Sequence, residues 1–236
     1  HVVGKASEQF SDIVRSGNLG PIETLDVEFR EFWGGIFAAH PWLAGPGDTY
    51  LGFWKRGGGA SGEHSHAVNL WQHYAHAIGA GRVVEVSAMM DFVVDGEIDY
   101  DRLCVLHLRT ESGLTGRVVQ DVVTSPPRKW ARAQGRDGYV EWHCGFRSGV
   151  DAVLRGNGKG QIEESLFEKS RPNDFIWELQ HIEASLLGEA GSSPISISRG
   201  LDTMLVLAAA HKSVREKCTI TIDYKSGYCE AALKIA

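Results

Sequence analysis

The sequence predicts an α+β fold: an open, mostly antiparallel sheet with helices on one face, forming one domain over residues 1–236. Three observations lead there. The middle third is a run of strand-like segments joined by short turns. Helical periodicity gathers around that run. No internal repeat or low-complexity linker divides the chain.

Each element follows from local pattern. Residues 5–15 place Phe10, Ile13 and Val14 at helical spacing and stop at Ser16-Gly17-Asn18. Residues 22–32 alternate as a strand with one buried and one polar face does, and a covering sheet would keep that polar face from water. Residues 33–59 show little periodicity but much Gly, Pro and Trp, in His40-Pro41-Trp42, Gly45-Pro46-Gly47 and Phe53-Trp54-Lys55-Arg56-Gly57-Gly58-Gly59. Loops of this length are uncommon unless they line a site or act as a lid, although an aromatic-pinned surface loop fits equally. A helix is expected over 61–78, ended by Gly79-Ala80-Gly81, with Ala67, Trp71, Tyr74, Ala75 and Ile78 on one side and His66, Asn69, His73 and His76 on the other. Strands are expected at 82–90, 102–110, 116–123 and 138–143, with a turn at Glu111-Ser112-Gly113 and a break at Ser125-Pro126-Pro127. Shorter strands at 150–154 and 160–166, helices at 174–187 and 200–215, and a strand at 219–224 complete the order.

Composition narrows the function. The 236 residues are 43% hydrophobic and 23% charged, as in an ordinary soluble globular chain. The longest apolar run, residues 204–210, falls far short of the roughly 20 residues that span a bilayer. The net charge of −6, from 24 Lys+Arg against 30 Asp+Glu, argues against nucleic acid as a partner. Cys104, Cys144, Cys218 and Cys229 form no C-x-x-C pair, which favours a reducing, cytoplasmic setting. No Lys- or Arg-led signal opens the chain, which starts at His1, so an upstream segment is expected to have been removed.

The densest polar constellation runs from Gly57 to Asn69. Glycines let the backbone approach a ligand closely, the helix start offers free N–H groups, and Glu63 stands three residues before His66. That spacing suits a carboxylate tuning an imidazole acid/base near neutral pH. The same residues also fit a glycine-rich turn with a solvent-facing histidine. A metal site is the rival use, but His66 and His73 lie about 10.5 Å apart along a helix, too far to share an ion. Glu-x-x-His occurs at 63–66 and 178–181, as in ferritin-like dinuclear sites, but those need four bundled helices. No metal is expected.

No G-x-S-x-G elbow, P-loop or strand-borne G-x-G-x-x-G is present. Residues 156–160, glycine-rich around Lys159, read as a hairpin turn, and Cys144 beside His143 as an inert core thiol. Trp33, Trp42 and Trp54 bracket the long loop, where they either wall a sugar- or polyol-sized pocket or anchor the loop. Trp130, Trp142 and Trp177 are expected in the core or at oligomer contacts.

Four segments resemble the C-terminal, substrate-binding domain of the glucose-fructose oxidoreductase and inositol dehydrogenase family (Gfo/Idh/MocA). Residues 13–22, Ile-Val-Arg-Ser-Gly-Asn-Leu-Gly-Pro-Ile, are similar to its entry into this domain. Gly57-Gly58-Gly59-Ala60 through His66 is similar to its Gly-Gly segment leading to a helical Asp-x-x-x-His. Gln134-Gly135-Arg136-Asp137-Gly138 is similar to its mid-sheet turn, and residues 200–213 to its closing helix. The resemblance implies a glyceraldehyde-phosphate-dehydrogenase-like C-terminal domain, whose free sheet face forms a homodimer or homotetramer. It also implies an N-terminal Rossmann domain, absent from this chain, that binds NAD or NADP and supplies a lysine.

Position by position, His66 matches the family histidine that acts in proton transfer, and Asn69 stands where Asp is usual. The partner Asp, four before the histidine, falls on Gly62, leaving Glu63 as the nearby carboxylate. The resemblance thus implies part of an NAD(P)-dependent oxidoreductase acting on a sugar, polyol or related hydroxyl/ketone compound, inactive as this chain alone. His66 and Glu63 are the catalytic candidates. Trp33, His40, Trp42, Trp54, Lys55, Asn69 and His73 are substrate-contact candidates. The alternative is a non-catalytic binding or assembly module with the same fold, as Gly62 in place of Asp permits.

Overall fold

A computed structural model describes residues 1–170, 172–189 and 191–236. Ten strands make one open sheet in the order β10-β9-β2-β3-β4-β1-β5-β6-β7-β8. In chain order these are β1 (Ile22–Arg30), β2 (Val83–Asp95), β3 (Ile98–Thr110), β4 (Thr115–Asp121), β5 (Arg128–Gly135), β6 (Gly138–Arg147), β7 (Val150–Asn157), β8 (Ile162–Glu168), β9 (Ile220–Ile222) and β10 (Leu233–Ile235). Every described pairing between strands is antiparallel except β1 with β4, which runs parallel from Thr24↔Thr115 to Arg30↔Asp121. The α+β class with an open, mostly antiparallel sheet stands as expected.

Alternation decides which face of the sheet is covered. Leu25, Val27 and Phe29 of β1 point to one side and are buried. Helices α1 (Lys5–Arg15), α4 (His66–Ile78) and α6 (Ile197–Glu216) lie over that side. Phe10 and Tyr74 stack at 3.9 Å where α1 meets α4, and the Trp71 indole donates to the Leu25 carbonyl at 2.7 Å, tying α4 to β1. The opposite face is polar. There Glu28, 6% exposed, lies between Arg117 (3.9 Å) and Arg128 (3.5 Å), and a groove of about 480 Å³ runs past Asp26, Glu85, His107, Arg109 and Arg117.

Three expectations change. The sequence reading had no strand at 128–135, because Arg128, Arg132 and Gln134 occupy the polar positions and short alanines the inward ones; this is β5, and it pairs with both β1 and β6. The helix expected over 61–78 is two helices, α3 (Gly59–Glu63) and α4. The buried Gln120 side chain takes the His64 carbonyl (2.5 Å), and the Ala67 amide takes it too (2.8 Å), so the chain turns before restarting at His66. The 33–59 stretch holds a short helix, α2 (Gly34–Ala39), and single 3-10 turns at Pro46–Asp48, Tyr50–Gly52 and Trp54–Arg56. The hairpin expected at 156–160 joins β7 to β8, its Asn157 side chain accepting from the Lys159 and Gln161 amides. Trp130 and Trp142 are buried, as expected.

Candidate functional site

The parallel pair ends at Arg30 and Asp121, and the chain leaves both strands there in loops. In open α/β sheets ligands bind outside the carboxyl ends of the parallel strands, and this rim is the corresponding edge of the one parallel strand pair among the described residues. Asp121 is fully buried and fixes this rim. It accepts from Arg30 Nε (2.5 Å), the Val123 and Thr124 amides (3.1 and 2.8 Å) and the Thr124 hydroxyl (2.8 Å). Burial pushes its pKa up, but these bonds outweigh burial and hold it below the usual carboxylate value. Lys129, at the start of β5, pairs with Glu31 at 3.0 Å beside it.

The glycine segment reaches this rim because β3 pulls it in. Asp101, with no exposed surface, accepts from the Ser61 amide (2.7 Å) and the Ser61 hydroxyl (2.9 Å). It therefore caps α3 from β3, since the residue at the N-cap, Gly58, has no side chain to do so. Gly59 is required at the contact: its φ is +77°, and a Cβ there would stand 2.0 Å from Asp101 Oδ1. Burial raises Asp101 to about 7 despite the Ser61 bonds. On the far side of Ser61, His211 Nε2 meets the hydroxyl at 3.1 Å, and the His211 ring stacks on Trp54 at 4.6 Å. Ser61 donates its only hydroxyl hydrogen to Asp101, so His211 donates to Ser61. The order is Asp–Ser–His, which holds a loop and leaves no free nucleophile.

His66 opens α4 at the end of this segment. It is exposed, makes no side-chain hydrogen bond among the described residues, and meets the His1 ring edge-on at 5.7 Å. His1 itself packs on Phe29 (5.0 Å) and Trp142 (5.8 Å), so one edge of His66 is covered and the other open. That partial burial lowers its pKa, leaving a neutral imidazole at pH 7 that can accept a proton. Two residues before it, His64 is 4% exposed with its Nε2 buried and without a partner among the described residues; burial first, then Lys129, lowers its pKa.

The other expected site residues are dispersed. Glu63 does not orient His66: it accepts from the Tyr50 hydroxyl at 2.6 Å, and the structure gives no hydrogen bond between Glu63 and His66. Trp33 is 3% exposed and packs with Leu51, Ala60 and Val122 in a small second core, so it is an anchor. Trp42 is 74% exposed, against His40, whose Nδ1 contacts the Ile36 carbonyl at 2.7 Å. Trp54 donates to Asp99 (2.9 Å), lies under Lys55 (5.5 Å), and borders a separate cavity of about 520 Å³ with Leu201, Met204 and His211. The three tryptophans thus do not wall one pocket. Asn69 reaches Thr203 (3.4 Å) and His73 reaches Ser11 (3.2 Å), because α6 and α1 cover what the sequence suggested was an open histidine front.

Sequence reasoning missed Glu31, Lys129, Asp101, Asp121 and His64. Only His64 lay inside the motif already singled out. Among the described residues no group of three His, Cys, Asp or Glu side chains is arranged to hold a metal ion.

The fold matches a known domain. The profile of the GFO/IDH/MocA C-terminal domain matches residues 8–141, and the chain belongs to that family. Its fold is shared with an aldose-aldose oxidoreductase from Caulobacter crescentus complexed with glycerol (21% identity, TM-score 0.68, covering 91% of this chain and 60% of that one). It is shared also with a putative myo-inositol dehydrogenase from Sinorhizobium meliloti 1021 (19%, 0.67, 94% and 63%). A third is levoglucosan dehydrogenase in complex with NADH and levoglucosan (13%, 0.70, 92% and 63%). The chain therefore spans about 60% of the length of the solved structures it resembles. No curated protein matches it in sequence.

Proposed function

We propose that this chain is the substrate half of an NAD(P)-dependent oxidoreductase that acts on a sugar, polyol or related hydroxyl/ketone compound. His66 carries the reading. Among the described residues it is the one histidine at the rim that combines exposure, no side-chain hydrogen bond and a lowered pKa, at the start of a helix beside the ends of the parallel pair. The solved relatives named above are an aldose-aldose oxidoreductase complexed with glycerol, a putative myo-inositol dehydrogenase, and a levoglucosan dehydrogenase in complex with NADH and levoglucosan, which supports this reading.

The nicotinamide is expected on a preceding Rossmann domain, which would supply hydride acceptance and release. The residues here fit the complementary part: no dinucleotide fingerprint, but a neutral imidazole that takes the hydroxyl proton as the carbonyl forms, or returns it. Asp101 and Ser61 hold the segment that delivers His66, and Asp121 with Arg30 fixes the strand ends beneath it. The polar sheet face, with its partly sequestered Glu28, is the surface assigned to self-association. Four cysteines without a disulfide among the described residues support a reducing, cytoplasmic setting.

One observation favours the second reading, a binding or assembly module without chemistry. A Cβ at Gly62 would stand 2.2 Å from the Gly57 carbonyl oxygen, so no carboxylate fits where the family pattern has Asp. Titrating the full-length protein with NADH and NADPH, then assaying a panel of sugars and polyols, separates the two. Cofactor binding with turnover supports the dehydrogenase; a protein that binds neither cofactor is the module.

A further inference from the structure

A second polar cleft lies along the C-terminal half of α4, away from His66. It has a volume of about 510 Å³ between α1, α4, α5 (Asn173–Leu186) and the segment entering α6, and Arg15, His73, His76, His181 and Arg199 line it. A smaller hollow reaching Gln72 and Asp202 shares His73, His76 and Arg199 with it. The proposed proton transfer uses none of these groups.

Its unsatisfied polar atoms are buried. Gln72 is 4% exposed; its Oε1 shares the single Thr203 hydroxyl hydrogen (2.9 Å) with the Arg199 carbonyl (3.0 Å), while its Nε2 has no partner among the described residues. His76 Nε2 is likewise buried and without a partner among the described residues. Buried donors without partners are rare in folded proteins, and each asks for a ligand or an ordered water. His73 is different, because Ser11 gives its only hydroxyl hydrogen to the Ser7 carbonyl (2.9 Å), so the ring N–H makes the 3.2 Å contact with Ser11.

The charges select the kind of ligand. Arg15 is held by Asp12 at 3.0 Å, and Asp202 accepts from the Tyr228 hydroxyl at 2.9 Å. Glu8 lies at the exposed rim of the cleft. Arg199 has no ion-pair partner among the described residues, and its charge acts instead on the two rings. Burial first, then Arg15 and Arg199, brings His73 down to about 4; burial and Arg199 bring His76 there too, against Asp202 and Glu111. A cation would be repelled by Arg199, whereas an anion would complete it.

We propose that this cleft binds a small oxyanion, a carboxylate or phosphate group, on the Arg199 guanidinium, with the Gln72 amide and the His76 ring N–H as further donors. Guanidinium groups pair with both anions in bidentate geometry, so the two sources share one chemistry and two probes tell them apart.

The test is histidine-ring NMR on the intact chain at neutral pH and constant ionic strength, titrated with inorganic phosphate, malonate or chloride. The expected result is a saturable shift of the His76 signals with phosphate or malonate, with a Kd of about 1 mM or tighter, and none with chloride. The tighter of the two probes identifies the group recognised. Arg199→Gln is expected to weaken binding by about tenfold or more, whereas Arg136→Gln on the exposed surface leaves it unchanged. No saturable His76 shift with either anion, an equal shift with chloride, or full binding by a folded Arg199→Gln variant overturns the proposal. The unmodified chain decides the first two outcomes even if the variant does not fold.

Discussion

The Tyr50 hydroxyl donates to the Glu63 carboxylate at 2.6 Å, and this bond turns the only carboxylate close to His66 in sequence toward the long loop. Glu63 acts on the imidazole only through space, raising its pKa against the larger effect of burial. The same bond pushes Tyr50 up to about 12.

Glu63→Gln is therefore expected to return Tyr50 toward about 10, read by ultraviolet titration, and to lower the His66 pKa, read by NMR. Turnover of the full-length protein should fall by less than about tenfold, since Glu63 does not hold the ring. A loss as large as that of removing His66 would mean that Glu63 is a partner after all.

Restoring the family carboxylate should fail. Gly62→Asp puts a Cβ into the Gly57 carbonyl, a backbone atom that cannot swing aside, and we expect a loss of about 1–3 kcal/mol in chemical denaturation with no gain in turnover. A stable, more active variant would show that the 57–62 turn opens easily.

Asp101 is expected to matter more for stability than any exposed residue of the site. Asp101→Ala leaves the Ser61 amide and hydroxyl without their buried acceptor, at a cost of about 1–3 kcal/mol or more. Thermal unfolding measures it, and an unchanged Tm would remove Asp101 as the cap of α3.

Stability should rise with pH from about 4 to about 6.5. His73, His76 and His211 each titrate near 4 when folded, chiefly through burial, against about 6.5 unfolded. Between those values the unfolded chain binds more protons, so their contribution is complete above about 6.5 and is lost as pH falls through about 4. Asp101, raised to about 7, works in the opposite sense and loses stability as pH rises from about 4 to about 7. Three groups outweigh one, and His73→Gln should flatten the slope of denaturation free energy against pH.

The outline of the fold was legible because burial writes itself as periodicity. Phe10 and Val14 on α1, Leu25, Val27 and Phe29 on β1, and the α4 side bearing Trp71 and Tyr74 all lie where their spacing puts them. β5 was not legible, since Ala131 and Ala133 fill its inward positions and neither carries a strong apolar signal. The site was legible only along one segment. His66 and the glycines share it, but Asp101 and Lys129 arrive from strands 35 and 63 residues beyond His66 through tertiary pairing. The tryptophans misled because composition cannot separate an anchor such as Trp33, 3% exposed, from a surface ring such as Trp42, 74% exposed.

The most direct test of the central claim is steady-state turnover of the full-length protein with His66→Ala, using whichever polyol or sugar and nicotinamide cofactor the unmodified protein accepts. The account predicts a fall in kcat of about 100-fold or more with little change in KM, since the imidazole moves a proton and does not hold the substrate. A fall of less than about tenfold would contradict it and leave the exposed histidine as part of a binding surface.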